Sequence, residues 1–374
     1  MNKTVNTVRD YFRNSPFQTL AGRLSADTGE GDFAKLKIHE TLEKQLVDYF
    51  KTKFVSVMIL VGDQGGGKTW TLSWLYRTFM EGPKDTMVIG VPRIELRGIP
   101  ERGLLEGLFK GLRPQIDEIK QTMSKTQFPS SLKGTATEYI WNAISDSDAY
   151  SILSGTGGRL PTLNGIIPPP MTKTEGTLEL FLGLFRFLAI LGYTKVLVLM
   201  DEVESLFVAY GRSNLFIFTN YLRGIYDEFE SDNGRSLPRL VLVMSGTYGV
   251  LAGVSPELVT RQTDASDASQ ALLRRLAPSF VLEFRDMADA LEIASHRIGV
   301  HRKVTEDKPY IPYDEKAIEF VWQHNLGNLG NYCRDLQQMY EFALRERAKM
   351  ITMEHAKRAV ALFQTPEDAA TKTS

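Results

Sequence analysis

The sequence predicts an α/β fold in which a parallel sheet lies between two layers of helices, followed by a smaller unit made only of helices. The segments 195–200 and 239–244 are almost continuously apolar, which is typical of strands inside a parallel sheet covered on both faces. Segments with helical spacing alternate with such strands up to residue 285. From Asp286 onwards only helical patterns remain.

Composition bounds the class of protein. The chain has 374 residues, of which 43% are apolar and 24% charged, enough to bury the core of a large domain and a small one. The net charge of -1 argues against a protein dominated by a basic face, although a local basic patch is compatible with it. The single cysteine, Cys333, excludes an intramolecular disulfide framework and a Cys-rich zinc site.

The same features predict a cytoplasmic location. One cysteine fits a reducing compartment. The first residues have no signal-peptide apolar core, and no apolar run reaches membrane-spanning length.

The spacing of apolar residues and the positions of Gly, Ser and Pro predict the order of the elements along the chain. A Gly/Ser-punctuated N-terminal arm (1–35) precedes the sheet domain (36–285), which an insertion at 124–174 interrupts. We expect that insertion to carry a short helix at 135–144 and a mobile loop. A four-helix lid (286–364) and a polar tail (365–374) follow. The other predicted helices lie at 36–50, 69–80, 101–123, 177–191, 215–229, 287–298, 314–324, 331–349 and 353–363, and strands lie at 57–61, 87–94, 195–200, 239–244 and just before 284.

A phosphate-binding loop follows the first strand. The apolar segment 57–61 runs into Gly62-x-x-x-x-Gly67-Lys68-Thr69 and then into a helix, the setting that a P-loop requires. Its glycines let backbone N–H groups surround phosphates, its lysine reaches the terminal phosphates, and its threonine can bind Mg²⁺. The residues expected to contact nucleotide here are Gly62, Asp63, Gln64, Gly65, Gly66, Gly67, Lys68, Thr69 and Trp70.

Two acids end the strand 195–200. Asp201 is placed to hold Mg²⁺ at the carboxyl edge of the sheet, and Glu202 to orient and deprotonate an attacking water. Glu204 is an alternative base, although an acid at a helix start is more often simply solvated. The pair Asp201 and Glu202 distinguishes a hydrolase from a protein that only binds nucleotide.

Hydroxyl groups end the next strand. Ser245 and Thr247 follow the segment 239–244, so they are expected beside the γ-phosphate or the lytic water. Ordinary turn chemistry is an equally good interpretation of Ser-Gly-Thr after a strand.

Three arginines are candidates for contacts with phosphate. Arg274 and Arg275 precede a short strand, and a guanidinium can neutralise charge on a phosphoryl group, often from a neighbouring subunit. An interdomain salt bridge is the alternative. Arg334 is expected in the first turn of a lid helix. Because cations are unfavourable near a helix N-terminus, we expect it to face an anion such as bound nucleotide.

Together these elements resemble the AAA+ ATPases, and within them the branch of replication-initiator and transposition-regulator ATPases. The resemblance covers most of the chain and equates 62–69 with Walker A, 196–202 with Walker B, 245–247 with sensor 1, Arg274 and Arg275 with the arginine-finger region, and 330–334 with sensor 2. Ser15-Pro16-Phe17 is similar to the Asn-Pro-Phe entry of the initiators. Two features differ from the pattern: no winged-helix segment follows the lid, and sensor 1 has no asparagine.

The resemblance implies ATP as the nucleotide and Mg²⁺ as the metal. It also implies a homo-oligomer, in a ring or filament, that acts as a molecular switch on DNA or on a DNA-bound protein. DNA contacts would then come from the ATPase unit or from the insertion, which contains Lys125, Lys133, Arg159 and Lys173. The alternative is a STAND-like signalling or scaffold ATPase, a monomeric switch that does not act on DNA. A pure interaction module with a vestigial site is disfavoured because Lys68, Thr69, Asp201 and Glu202 are all present.

Overall fold

A single parallel sheet organises the chain. The computed structural model describes residues 7–12, 16–17, 36–62, 65–91, 100–156, 159–202, 204–246, 280–282, 286–304, 306–325 and 328–362. In this part of the chain the sheet has five strands in the order β2-β3-β4-β1-β5, and all neighbours are parallel. They are β1 (Val55–Val61), β2 (Thr86–Val91), β3 (Lys195–Met200), β4 (Arg239–Gly246) and β5 (Phe280–Val281).

Helices cover both faces of the sheet and form the unit that follows it. In the first 246 residues the described helices are α1 (Val8–Tyr11), α2 (Lys37–Thr52), α3 (Lys68–Met80), α4 (Pro100–Leu112), α5 (Ile116–Met123), α6 (Ala136–Ser145), α7 (Ser147–Ser151), α8 (Thr174–Ile190) and α9 (Glu204–Asp232). The four helices expected after residue 286 are present as α10 (Met287–His301), α11 (Glu315–Asn325), α12 (Leu329–Arg345) and α13 (Met353–Ala361).

The strands divide the core into two parts. Alternate residues of a strand face opposite sides of a sheet, and in β1 the side chains of Val57 and Ile59 pack with α4, α6, α8 and α9. Met58 and Leu60 pack on the other face with α2, α3 and the four C-terminal helices. Both faces are therefore buried, as the continuous apolar strands predicted.

Two helices differ from the sequence-based expectation. The helix expected at 101–123 is divided by a 3₁₀ turn at Arg113–Gln115, because Pro114 has no backbone N–H to continue an α-helix. The helix expected at 215–229 is longer and runs from Glu204 to Asp232.

The 124–174 insertion contains the short helix expected at 135–144, as α6, and its described residues join the core. Tyr139, Ile140 and Ile144 form a fully buried apolar face of α6 that joins the core containing α8. The Tyr139 hydroxyl donates to the carbonyl of Pro161 at 3.0 Å, and the Tyr150 hydroxyl donates to that of Phe109 at 2.6 Å. Helical spacing of apolar residues thus makes the insertion part of the folded core.

The N-terminal arm packs against the C-terminal helices. The backbone N–H of Val8 donates to the carbonyl of Ala348 at 2.8 Å. The ring of Phe12 meets that of Tyr340 edge to face at 5.5 Å, and Phe17 meets Tyr313 in the same way at 5.7 Å. These contacts give the apolar residues of the arm a structural role, whereas Ser15 of the Ser-Pro-Phe entry lies outside the described residues.

Membrane insertion by a helix finds no support in the part of the chain that the structure describes. None of its helices combines the length and the apolar character needed to cross a bilayer.

Helix α4 lies so close to β2 that it leaves no room for a side chain at Gly111. A Cβ there would lie 2.5 Å from the carbonyl oxygen of Gly90, so we expect Gly111→Ala to lower the free energy of unfolding by about 1–3 kcal/mol. Gly299→Ala in α10 is the control, because a Cβ at Gly299 meets nothing within 4 Å and alanine favours the helix by about 0.5–1 kcal/mol. Urea unfolding measures both variants, and equal midpoints would contradict this packing.

Candidate nucleotide-binding site

The loop between β1 and α3 has the backbone of a phosphate-binding loop. Gly65 and Gly67 have φ values of +78° and +79°, in the left-handed region that glycine adopts without steric cost. Gly67 is the N-cap of α3, so the positive end of that helix dipole faces the loop. Gly66 lies between them and is buried, whereas Asp63 and Gln64 lie outside the described residues.

The amine of Lys68 is held over the start of this loop. Its Nζ donates a hydrogen bond to the carbonyl of Gly62 at 2.8 Å. The N–H of Gly62 continues the sheet ladder by donating to the carbonyl of Gly246 at 3.3 Å. The lysine charge is therefore fixed beside the turn whose N–H groups would donate hydrogen bonds to phosphate oxygens.

The carboxylate of Asp201 joins the three parts of the predicted site. It lies just beyond β3, is 4% exposed, and receives a hydrogen bond from the Thr69 hydroxyl at 2.6 Å. Its other oxygen accepts from the Ser245 hydroxyl and from the backbone N–H of Glu202 at 3.0 Å. The sheet order causes this convergence, because β4 lies between β1 and β3 and their carboxyl ends share one edge.

Ser245 belongs to the sheet and not to a turn. It lies inside β4 in register with Leu60 of β1, its side chain is buried, and its hydroxyl contacts Asp201. This geometry favours a role in the site over turn chemistry. Thr247 lies outside the described residues.

The oxygen atoms of Thr69 and Asp201 fit a magnesium ion. Both are hard ligands, and Mg²⁺ is usually held by one or two carboxylates together with water and substrate phosphate. No group of three or more His, Cys, Asp or Glu side chains that could hold a metal occurs in the described ranges. A metal at Thr69 and Asp201 would take water and phosphate oxygens as its other ligands.

Glu202 has an unusual backbone conformation. Its φ is +51°, which is uncommon for a residue other than glycine and concentrates at functional sites. Its side chain is exposed at the sheet edge, where a water molecule can reach it. Glu204 begins α9, but the structure does not describe its side chain.

Helix α12 of the lid touches the phosphate-binding loop directly. The N–H of Gly330 donates to the carbonyl of Gly65 at 2.8 Å. Asn328 caps α12 by accepting the N–H of Asn331 at 2.9 Å. A pocket of about 160 Å³ lies between loop and lid, lined by Gly65, Gly66, Gly67, Lys68, Thr69, Trp70, Leu329 and Gly330.

The expected position of Arg334 requires correction. The helix begins at Leu329, so Arg334 lies in its second turn, given about 3.6 residues per turn. Its guanidinium contacts the carboxylate of Asp335 at 3.3 Å. Burial raises the pKa of this carboxyl above its ordinary value, and the hydrogen bonds from Asn325 and Arg334 offset only part of that increase. The dipole argument for an anion partner of Arg334 therefore no longer applies.

Sequence reasoning missed Asn328 and His39. Asn328 was hidden because the predicted helix began at Asn331, although an asparagine before an apolar helical pattern is a usual N-cap. His39 is fully buried, stacks on Trp74 at 4.8 Å and meets Trp70 edge to face at 4.9 Å. No sequence pattern pairs α2 with α3 in this way. Arg274 and Arg275 lie outside the described residues.

Comparison with known proteins finds similarity only at the level of structure. No protein-family model matches the chain, and no curated protein matches its sequence. The ORC2 protein of Aeropyrum pernix, in ADPNP-ADP complexes, superposes with a TM-score of 0.53 and 10% identity over 97% of this chain and 76% of that chain. Its ADP form gives a TM-score of 0.51 and 10% identity over 94% and 73%. A Drosophila ORC structure bound to DNA gives 0.46 and 15% identity over 97% and 70%.

The similarity to the ORC2 protein confirms the predicted fold. Its coverage of 97% of this chain takes in the parallel sheet β2-β3-β4-β1-β5 and the four helices that follow it. At 10% identity the comparison establishes the fold alone.

The hydrogen bond from Ser245 to Asp201 generates a stability prediction. Ser245→Ala removes a donor from a buried carboxylate, so we expect the free energy of unfolding to fall by about 1.5–3 kcal/mol, the usual value for hydrogen bonds to charged groups. Ser73→Ala is the matched control, because the buried Ser73 hydroxyl has no hydrogen-bond partner within the described part of the chain. That change should be neutral or stabilising. Similar losses for both variants in urea unfolding would exclude the Asp201 contact as the cause.

Proposed function

We propose that this chain binds ATP with Mg²⁺ and hydrolyses it to ADP and phosphate. The observation that carries the proposal is the meeting of Lys68, Thr69 and Asp201 at one edge of the sheet, with Ser245 bonded to the same carboxylate. The fold is shared with an ORC2 protein whose structures are ADPNP-ADP complexes and an ADP form, which supports a nucleotide as the ligand of this loop.

Each residue has a separate task in this proposal. The N–H groups of the loop 62–67 and the Lys68 amine bind the phosphates and orient the terminal one. Thr69 and Asp201 would hold Mg²⁺, which neutralises charge on the β- and γ-phosphates when bound. Ser245 keeps the Asp201 carboxylate in place. Trp70, which lines the pocket, and Arg334, on the resemblance to sensor 2 alone, complete the proposed nucleotide contacts.

Glu202 is the proposed general base. It follows Asp201 directly, is exposed at the carboxyl edge, and its positive φ turns the backbone there. A carboxylate so placed can accept a proton from water as the water attacks the terminal phosphate. Arg274 or Arg275 would stabilise the charge that develops on the transferred phosphoryl group, from a neighbouring copy of the chain.

We further propose that nucleotide drives assembly of a homo-oligomer that acts on DNA or on a DNA-bound protein, as in replication, transposition control or mobile-element defence. This part rests on the resemblance to initiator ATPases. Lys125, Lys133, Arg159 and Lys173 of the insertion are all exposed, so they could contact phosphate, but exposed basic residues are also most often simply solvated.

A monomeric STAND-like switch is the second candidate. The hydrogen bond between Gly330 and Gly65 supports it, because it joins the C-terminal helices to the phosphate-binding loop within one chain, as a switch that locks itself closed requires. The two candidates differ in whether activity needs another copy of the chain.

Glu202→Gln should separate binding from chemistry. Glutamine keeps the size and hydrogen bonding of the side chain but cannot accept the proton, so turnover should fall by a factor of about 100 or more while ATP still binds. Lys68→Ala should instead largely abolish binding, since it removes the charge contact to the phosphates. Phosphate release and nucleotide fluorescence measure the two effects. Normal hydrolysis by Glu202→Gln, with loss in Glu204→Gln, would assign the base to Glu204.

Mixing subunits tests assembly. If Arg275 acts on the site of a neighbour, Arg275→Ala and Glu202→Gln should each be inactive alone, and a mixture should regain turnover because some interfaces contain both intact groups. Arg274→Ala tested in the same way decides between the two arginines.

Mass measurement with a slowly hydrolysed ATP analogue should show the oligomer. If DNA is the partner, DNA should stimulate turnover at low salt, and binding should weaken steeply as salt rises. The assembly would be contradicted by a chain that stays monomeric, whose turnover does not change with DNA, and whose Arg275→Ala and Glu202→Gln variants do not restore turnover when mixed. That result would favour the STAND-like switch.

A further inference from the structure

We propose that Gly330 and Asn328 form the docking point of the lid on the phosphate-binding loop, and that this docking holds bound nucleotide in place. The inference rests on the proposed ATP binding and names the lid residues that control it. We call this docking point, formed by Gly330 and Asn328 against Gly65, the lid latch.

The latch is a contact between backbones. Gly330 donates its N–H to the Gly65 carbonyl at 2.8 Å. A Cβ at Gly330 would lie 3.2 Å from the Gly65 Cα and 3.4 Å from its carbonyl oxygen, so even alanine would push the two backbones apart. A side chain at position 330 would require the loop and the helix start to separate by a few tenths of an ångström.

Asn328 closes the other side of the latch. A Cβ at Gly65 would lie 2.5 Å from the Asn328 Oδ1, so the amide packs directly on the loop. The same Oδ1 accepts the N–H of Asn331 at 2.9 Å, which fixes the amide at the helix start. Asn328 therefore contacts both the start of α12 and the phosphate-binding loop.

The latch lies where nucleotide would be held. Leu329 and Gly330 line the same pocket as Lys68 and Thr69. This pocket, at about 160 Å³, is smaller than the roughly 300–1,000 Å³ of usual ligand sites. Phosphates bound by the loop would have the latch beside them, so opening of the latch would precede release of the nucleotide.

Two substitutions separate this role from simple stability. Gly330→Ala should speed nucleotide release about tenfold by disturbing the backbone contact, whereas Gly299→Ala, a helical glycine of the same lid with free space around it, should leave the rate unchanged. Asn328→Asp keeps the shape and the capping of α12, so thermal stability should be kept. Its charge beside the loop should weaken nucleotide affinity about tenfold at low salt, and less at high salt.

Hydrogen exchange tests the latch without nucleotide. The first N–H groups of a helix have no partner within the helix, so slow exchange at Gly330, measured by mass spectrometry on the full chain, would report its bond to Gly65. Fast exchange there would overturn the latch.

The stopped-flow release of a fluorescent ATP analogue then tests its function. If the wild-type chain binds nucleotide but Gly330→Ala releases it like Gly299→Ala, and Asn328→Asp binds it like the wild type, the inference is wrong. If the wild type binds no nucleotide, ATP binding itself fails, and the exchange rate still decides whether the latch exists.

Discussion

The buried carboxylate of Asp201 is the constraint on which the arrangement of the site depends. A charge with 4% exposure must be compensated by hydrogen bonds, and here the donors come from the start of α3, the end of β4 and the second residue beyond β3. Those donors reach it only because β4 lies between β1 and β3 in a parallel sheet. The order of the strands thus brings the loop after β1, the oxygen atoms proposed to hold a metal and the proposed base to one edge of the sheet.

The C-terminal helices pack on one face of the sheet and contact this edge through the start of α12. Their core is continuous with one face of the sheet, the N-terminal arm packs on them, and α12 points its N-terminus at Gly65. Inside α12, the buried Asp335 holds both Arg334 and Asn325, which ties the helix to α11. Asp335 thus couples α11 to the helix whose start contacts Gly65.

Much of this could be predicted because the decisive signals are local in sequence. Continuous apolar strands gave the parallel sheet, and the glycines before Lys68 gave the loop and its helix. Contacts between distant segments were less accessible. The apolar face at Tyr139 and Ile144 indicated a helix but not that the insertion would join the core. The N-cap at Asn328 was missed because the helix was predicted to begin at Asn331, two residues late. Arg334 was misplaced for the same reason, since a helix that begins two residues earlier places it in the second turn instead of the first.

Calorimetric titration of the full chain with ATP, first with Mg²⁺ and then with EDTA, tests the central claim most directly. Since Thr69 and Asp201 offer oxygen ligands beside the phosphate-binding loop, the account predicts saturable binding of one nucleotide per chain that is clearly tighter with Mg²⁺. The Asp201→Asn variant should lose most of that difference, because a neutral amide binds Mg²⁺ less strongly than a carboxylate. No saturable binding in either condition, or binding to wild type that is indifferent to Mg²⁺, would contradict it.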